Sequence, residues 1–345
     1  MTAAAGEQAT ISPSSILVKA LAWHDAGAGV ALATVVSAWS TAPRRAGTQM
    51  AVHEDGTRMG TLFGESVDSL IATAAREVLA SGTDKTVDLA VDDATASTAG
   101  MACGGSMSVR LEHVTGGDGG QAGVLRQTVG ALQRGQSVVL CTRLSDGRRE
   151  LIATDDPAPG IWTAEAQKRA RMDDTAVVTV NGDDVLFQVF NAPLRLYVVG
   201  AVRTARALRD AAQLVGFDVT IVDPRSDMAG EPRFAGAKVV VGDVAVSLRD
   251  AQLDSRSAVV MLAHAPEMDD PGIVEALRSR SFYVGALGSR KSHAARLQRL
   301  EAAGVSPESA ARIRGPAGLA IGAIGPAEIA ASIVAEMIAT LRGAA

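Results

Sequence analysis

Beyond Pro193 the apolar and polar positions alternate between two rhythms. Short apolar runs (LRLYVV, FDVTIV, KVVV, AVVMLA and FYVGAL) are separated by stretches whose apolar residues recur every three to four positions. The runs predict strands buried on both faces, and the stretches between them predict amphipathic helices. Strand–helix alternation of this kind builds a doubly wound parallel sheet, so 193–345 is expected to be a Rossmann-like domain. Its opening stretch, Leu194–Arg225, reads as strand, tight turn, helix and strand. Gly200 breaks the first run, Ala205, Leu208, Ala212 and Val215 mark the helix, and FDVTIVD ends on Asp223. The last helix, about Pro326–Leu341, is mostly apolar and is expected either to pack across a domain face or to join a dimer contact.

Before Pro193 the rhythm differs. A helix from Pro13 to about Asp25 leads to the β-branched strand 30–40. Two short strands then meet at Asp55-Gly56, a strong hairpin signal. An amphipathic helix from Glu65 to Ala80, strands at 86–91 and 106–114, a helix around 124–134 and further hairpins at Ser145–Gly147 and Asn181-Gly182 complete a mixed α/β pattern. Residues 1–12 read as a disordered tail, 13–192 as the first domain, and 193–345 as the second with its C-terminal helix.

Composition narrows the function classes. The 345 residues are 47% hydrophobic and 21% charged, which is ordinary globular usage. A net charge of −5 with 3% aromatic residues argues against nucleic acid, which asks for a basic footprint or stacking platforms. No apolar run is long enough to span a membrane, which takes about 20 residues. Two cysteines, Cys103 and Cys141, cannot form a disulfide framework, so a cytoplasmic location is expected. The five histidines lack ligand spacing, so no protein-built metal site is expected.

Candidate chemistry follows from the rule that open α/β sheets bind ligands beyond the carboxyl ends of their strands. Those ends carry Gly200, Asp223, Arg225, His264, Gly288, Ser289 and Arg290. Asp223 lies ~20 residues past the first glycine, where an acid holds a ribose hydroxyl, and it could equally cap a turn before Pro224. The dinucleotide fingerprint is damaged, because its second glycine is Val202. Ser289 can cap a helix whose free N–H groups, with Arg290 and Lys291, suit an anion. In the first domain, Arg44 and Arg45 lie in a rigid basic loop that could fork onto phosphate. Cys103-Gly104-Gly105 puts a thiol on a flexible backbone between strands, where it could act as nucleophile, sulfur carrier or metal contact.

The segments APRRAGTQM, the Cys-Gly-Gly at 103–105, VDPR at 222–225, FYVGALGSRKSHAARLQRL at 282–300 and GPAGLAIGAIGPAEIAASIVAEMIA at 315–339 resemble the xanthine dehydrogenase accessory protein (XdhC/CoxI) family over roughly 15–341. The resemblance implies an XdhC/CoxI-type α/β domain followed by a Rossmann-like domain, and commonly a homodimer. It also implies binding of molybdenum cofactor (molybdopterin) and help with its sulfuration and insertion into a molybdenum hydroxylase such as xanthine dehydrogenase. In that reading Cys103 contacts the cofactor's metal or sulfur, and the basic loop and the 288–290 turn hold its phosphate. The chain departs from the family pattern at Val202, Ser66, Ala265 and Ala320, which marks it as a divergent member. Two alternatives stay open. One is an NAD(P)-dependent oxidoreductase using Asp223, weakened by Val202; the other is a ligand-free paralogue that only docks a partner enzyme.

Overall fold

The computed structural model of the chain describes residues 13–38, 46–91, 104–117, 120–155 and 160–344. The chain divides into two units, Met1–Ala192 and Pro193–Ala345.

In the first unit a five-stranded antiparallel sheet runs in the order β3 (Arg58–Gly60), β2 (Gln49–His53), β1 (Val30–Ala38), β5 (Gly105–His113), β4 (Lys85–Val91). The period of two along β1 sends its side chains to opposite faces. Ala31, Ala33 and Val35 pack with Val67, Ile71 and Val78 of the helix Glu65–Ser81. Val30 and Leu32 pack instead with Leu17 of the helix Pro13–Asp25 and Leu125 of the helix Gln121–Gln133. A second antiparallel sheet has the order β7 (Arg149–Ala153), β6 (Val138–Arg143), β9 (Asp183–Phe190), β8 (Ala176–Val180). One of its faces carries Val139, Cys141, Val185 and Phe187 against Trp162 and Ala166.

The second unit is a six-stranded parallel sheet. Its order is β12 (Lys238–Val240), β11 (Phe217–Val222), β10 (Leu194–Val199), β13 (Ser257–Met261), β14 (Tyr283–Ala286), β15 (Ile313–Arg314). Strand β10 explains the double winding. Leu196 and Val198 face Leu208 of the helix Arg203–Leu214 and Ile333 of the helix Pro326–Leu341. Tyr197 and Val199 face the other way, toward Ile273 and Leu277 of the helix Pro266–Arg278. The C-terminal helix therefore packs across a domain face, with Ala330, Ile333 and Met337 fully buried. Fold class agrees with the sequence pattern in both units. The edge strand β15 had no sequence signal, because two residues make no apolar run.

Candidate functional site

Parallel pairing places Val199 beside both Val222 and Met261, Val222 beside Val240, and Met261 beside Ala286. Five strands thus end in one row, and the turns beyond it share one sheet edge. Gly200, Asp223, Arg225, His264, Gly288, Ser289 and Arg290 are brought together on that edge. The strand order reverses between β10 and β13, so the switch point lies between Gly200 and the turn after Met261.

Gly200 has φ +102°, and a Cβ there would lie 2.8 Å from the Ala263 nitrogen. Only glycine lets the ends of β10 and β13 approach this closely. Asp223 lies below the same turn with its side chain wholly buried. Its Oδ2 accepts from the Ala201 N–H at 2.6 Å and from Arg225 Nη2 at 2.8 Å. Its Oδ1 accepts from the Arg225 N–H and from Arg225 Nε, both at 2.9 Å. Burial opposes the carboxylate's charge, but Arg225 and the two backbone N–H groups outweigh it and hold the carboxyl below its ordinary range. Both oxygens are saturated and out of solvent, so the expectation that Asp223 holds a ribose hydroxyl is corrected. It clamps the turn instead, and it spends Arg225's Nε and Nη2 in doing so. Val202 occupies the N-cap of the helix Arg203–Leu214 without a side-chain cap bond, half-buried against the core. Asp243, another strand-end acid, caps the helix Val244–Asp250 by accepting from the Val246 N–H.

His264 is exposed and holds φ +57°, a left-handed backbone uncommon outside glycine. Beneath it sits Asp269, 2% exposed, which takes the Ala263 N–H. Burial pushes the Asp269 carboxyl up to about 6, against the opposing pull of Arg296 and His264. Arg296 is equally buried, and its Nη2 donates to the Leu287 carbonyl at 3.1 Å. The same nitrogen stands 3.9 Å from Asp269 Oδ2, too far for a hydrogen bond. Asp269 Oδ1, Arg296 Nε, Arg296 Nη1 and the nearby His293 Nδ1 are buried without partners. Unsatisfied buried groups are costly, and such a concentration points to a functional or solvent-filled spot.

Sequence reading missed Asp269 and Arg296. A signal existed: Asp269 lies one helical turn before buried Ile273, and Arg296 one turn before buried Leu300. Each is a charge in phase with a core face.

The last turn is built differently from the first. Gly288 has φ +144°, which favours glycine. Ser289 then caps the helix Arg290–Ala302, its Oγ accepting from the Ser292 N–H at 3.1 Å. Arg290 and Lys291 are exposed, and neither makes an ion pair among the described residues.

In the first unit, Gly105 opens β5 opposite Val91, and Gly104 precedes it. Cys103, Arg44 and Arg45 lie outside the described residues. Cys141 is fully buried, and burial followed by the Glu150 charge pushes its thiol up, so it is an inert core residue.

Similarity to known proteins extends over both units. The model of the XdhC and CoxI family matches residues 23–90, and that of the XdhC Rossmann domain matches 196–337. The molybdenum cofactor insertion chaperone PaoD of Escherichia coli K12 is 27% identical over 312 residues, 90% of this chain and 83% of that protein. A probable xanthine dehydrogenase subunit of Bacillus subtilis 168 is 27% identical over 318 residues, 90% of this chain and 92% of that protein. A crystal structure of a xanthine dehydrogenase from Bacillus halodurans superposes with a TM-score of 0.60 at 25% identity, covering 96% of both chains.

Proposed function

The chain belongs to the XdhC and CoxI family, and from that premise we propose that it binds molybdenum cofactor as cargo and delivers it to a xanthine dehydrogenase-type molybdoenzyme. The observation that carries this reading is the sheet edge itself. A basic, capped turn at Gly288–Arg290 stands beside unpaired buried donors on Arg296, and a phosphate-bearing ligand fits that donor set. The similarity to an insertion chaperone over most of both chains supports the same reading.

In this role Ser289, Arg290 and the N–H groups around Gly288 hold the cargo's phosphate, and His264 stands over the same edge. Cys103, next to Gly104 and Gly105 in sequence, supplies a thiolate to the metal or its sulfur. Arg44 and Arg45 add cationic contacts. Gly200, Asp223 and Arg225 shape the edge rather than touch the ligand. The protein acts as a homodimer in the cytoplasm, and no helix among the described residues is long and apolar enough to cross a membrane.

The test is to purify the full chain without oxygen, denature it and identify what leaves. A released molybdopterin, absent from Cys103→Ala, is the expected result. An empty wild-type protein that also fails to take up added cofactor would remove the reading. The NAD(P) alternative has lost its ribose contact at Asp223, so NADH and NADPH titrations are expected to show no binding.

A further inference from the structure

We infer that a cavity between the two sheets of the first unit binds a small polar monocarboxylate, held on the open edges of the Arg110 and Arg149 guanidiniums. The site belongs wholly to the first unit and does not rest on the cargo reading.

Strand β5 supplies the first two groups. Its Val109 and Leu111 belong to the core under the helix Glu65–Ser81, so the period of two turns Arg110 and Glu112 to the opposite face. There Arg110 lies across from Thr34 and Glu112 across from Leu32. Leu32 shares a core cluster with Val138 and Leu140 of β6, so this face looks toward the second sheet. Arg149 comes from that sheet, at the start of β7. Glu112 Oε1 accepts from Arg110 Nε at 2.8 Å and from Arg149 Nη2 at 2.6 Å, so one carboxylate ties the two sheets together. Two guanidiniums on one carboxylate leave the trio with a single net positive charge.

Arg110 and Arg149 line a polar cavity of about 550 Å³, a size that suits a small metabolite. Its other walls are residues 82–84 ahead of β4, the turn 144–147 between β6 and β7, and the start of the helix Gln121–Gln133. Arg110 is 7% exposed, and a Cβ on Gly147 of that turn would meet its Nη2 at 3.6 Å. Neither Nη1 nor Nη2 of Arg110 makes a hydrogen bond among the described residues, and Arg149 uses only its Nη2. Asp84 faces both loosely. Its Oδ1 accepts from the His113 N–H at 3.0 Å, while Oδ2 stands 3.6 Å from Arg110 and 3.8 Å from Arg149, too far for a hydrogen bond. Asp146, the other acid on the wall, is committed to Arg143. Gly120 starts the helix with no side-chain cap, so the positive end of its dipole also meets the cavity. In the same wall Gln121 is 6% exposed, and its Oε1 and the His113 Nδ1 are buried without partners. Arginine is rarely buried this far, and a buried ion pair by itself is weak evidence for a role in stability. Open guanidinium edges inside a cavity call for a planar, bidentate acceptor. One carboxylate matches the single charge of the trio, whereas a dianion would overfill it beside Asp84 and Glu112.

Lactate is the probe, titrated into the full chain and followed by thermal unfolding, with sodium chloride at matched ionic strength as reference. Lactate is expected to raise the melting temperature beyond chloride in a saturable way. Lactamide, the same skeleton without the charge, should do nothing, and the dianion sulfate should act more weakly than lactate. Arg149→Gln removes one open guanidinium and should weaken lactate at least about ten-fold, since a charge-assisted contact is lost. Asp84→Asn keeps an acceptor for the His113 N–H and removes the competing charge, so it should tighten lactate by about three-fold or more. Opposite shifts in affinity are what a purely structural ion network does not give. Should Arg149→Gln fail to fold, Asp84→Asn decides alone. Lactate acting no differently from chloride, lactamide or sulfate matching it, or an affinity unchanged or weakened in Asp84→Asn would each overturn the assignment.

Discussion

The helices Arg203–Leu214 and Arg290–Ala302 both start at the carboxyl edge of one parallel sheet, each after a glycine with positive φ. One starts over a carboxylate that shares every hydrogen bond it can make. The other starts over a guanidinium with two donors unshared. A helix N-terminus wants negative charge, and a fold can supply it from within or leave it to a ligand. The first turn takes the internal solution and becomes part of the framework. The last holds its buried guanidinium 3.9 Å from the Asp269 carboxylate and leaves two of its donors without hydrogen bonds. The glycine-rich fingerprint alone does not separate these outcomes; the buried charge below it does.

The largest expected effect tests the closed turn. Asp223→Ala strands the Ala201 N–H in the interior and unties the half-exposed Arg225 from the turn, and leaving a buried donor unsatisfied costs about 1–3 kcal/mol. Urea unfolding of the second unit should show it as a shifted midpoint. A loss below about 1 kcal/mol would mean that the turn does not depend on the clamp. The carboxyl is held below its ordinary value, so its contribution is fully present above the unfolded-state pKa. It is lost as pH falls through the lower folded value. Wild type and variant should therefore converge in strong acid.

Asp269 carries the opposite sign, at the open end of the edge. Its carboxyl is pushed up to about 6, so the folded state holds the proton more tightly than the unfolded chain does. Stability is then greatest below the ordinary carboxylate range and falls as pH rises from about 4 toward 6. Asp269→Asn keeps an acceptor for the Ala263 N–H and removes the buried charge. The variant is expected to be more stable than wild type at neutral pH, by on the order of 2 kcal/mol, and to lose the slope between pH 4 and 6. Melting temperatures across that range decide it. A variant that is less stable at pH 7 would show that Arg296 needs the carboxylate, and that the open turn is less positive than its donors suggest.

Much of this is legible in the chain alone. Strand–helix alternation after Pro193 fixes the sheet, and Asp55-Gly56 and Asn181-Gly182 mark hairpins that form as expected. The strand-end rule gathers Gly200, Asp223, His264 and Ser289 on one edge. The role of Asp223 is not legible, because a ribose-holding acid and a turn-clamping acid occupy the same spacing. What separates them is the Arg225 side chain two residues on, folded back onto the carboxylate. The left-handed backbone of His264 has no signature in sequence, since histidine adopts it only rarely. Asp269 and Arg296 look like ordinary surface charges of helices until their phase with Ile273 and Leu300 is drawn out. The significance of that phase is only that both are buried; that they meet beneath one turn is a tertiary fact.

The smallest expected effect is the most discriminating between the two turns. Ser289 gives its Oγ to the Ser292 N–H, and replacing such a cap by alanine costs about 1 kcal/mol. For a unit of this size that is a few degrees in melting temperature. In chloride the deficit of Ser289→Ala should appear in full. In phosphate it should shrink, because an anion seated on the turn can accept the N–H that the serine has released. No equivalent rescue is available to Asp223→Ala, whose stranded N–H belongs to the fully buried Ala201, out of reach of a solvated ion. Melting both variants in chloride and in phosphate at equal ionic strength sets the comparison out directly. Partial recovery at Ser289 with none at Asp223 means an open turn beside a closed one. Recovery at both would show that the first turn also admits an anion, and the contrast between the two helix starts would be lost.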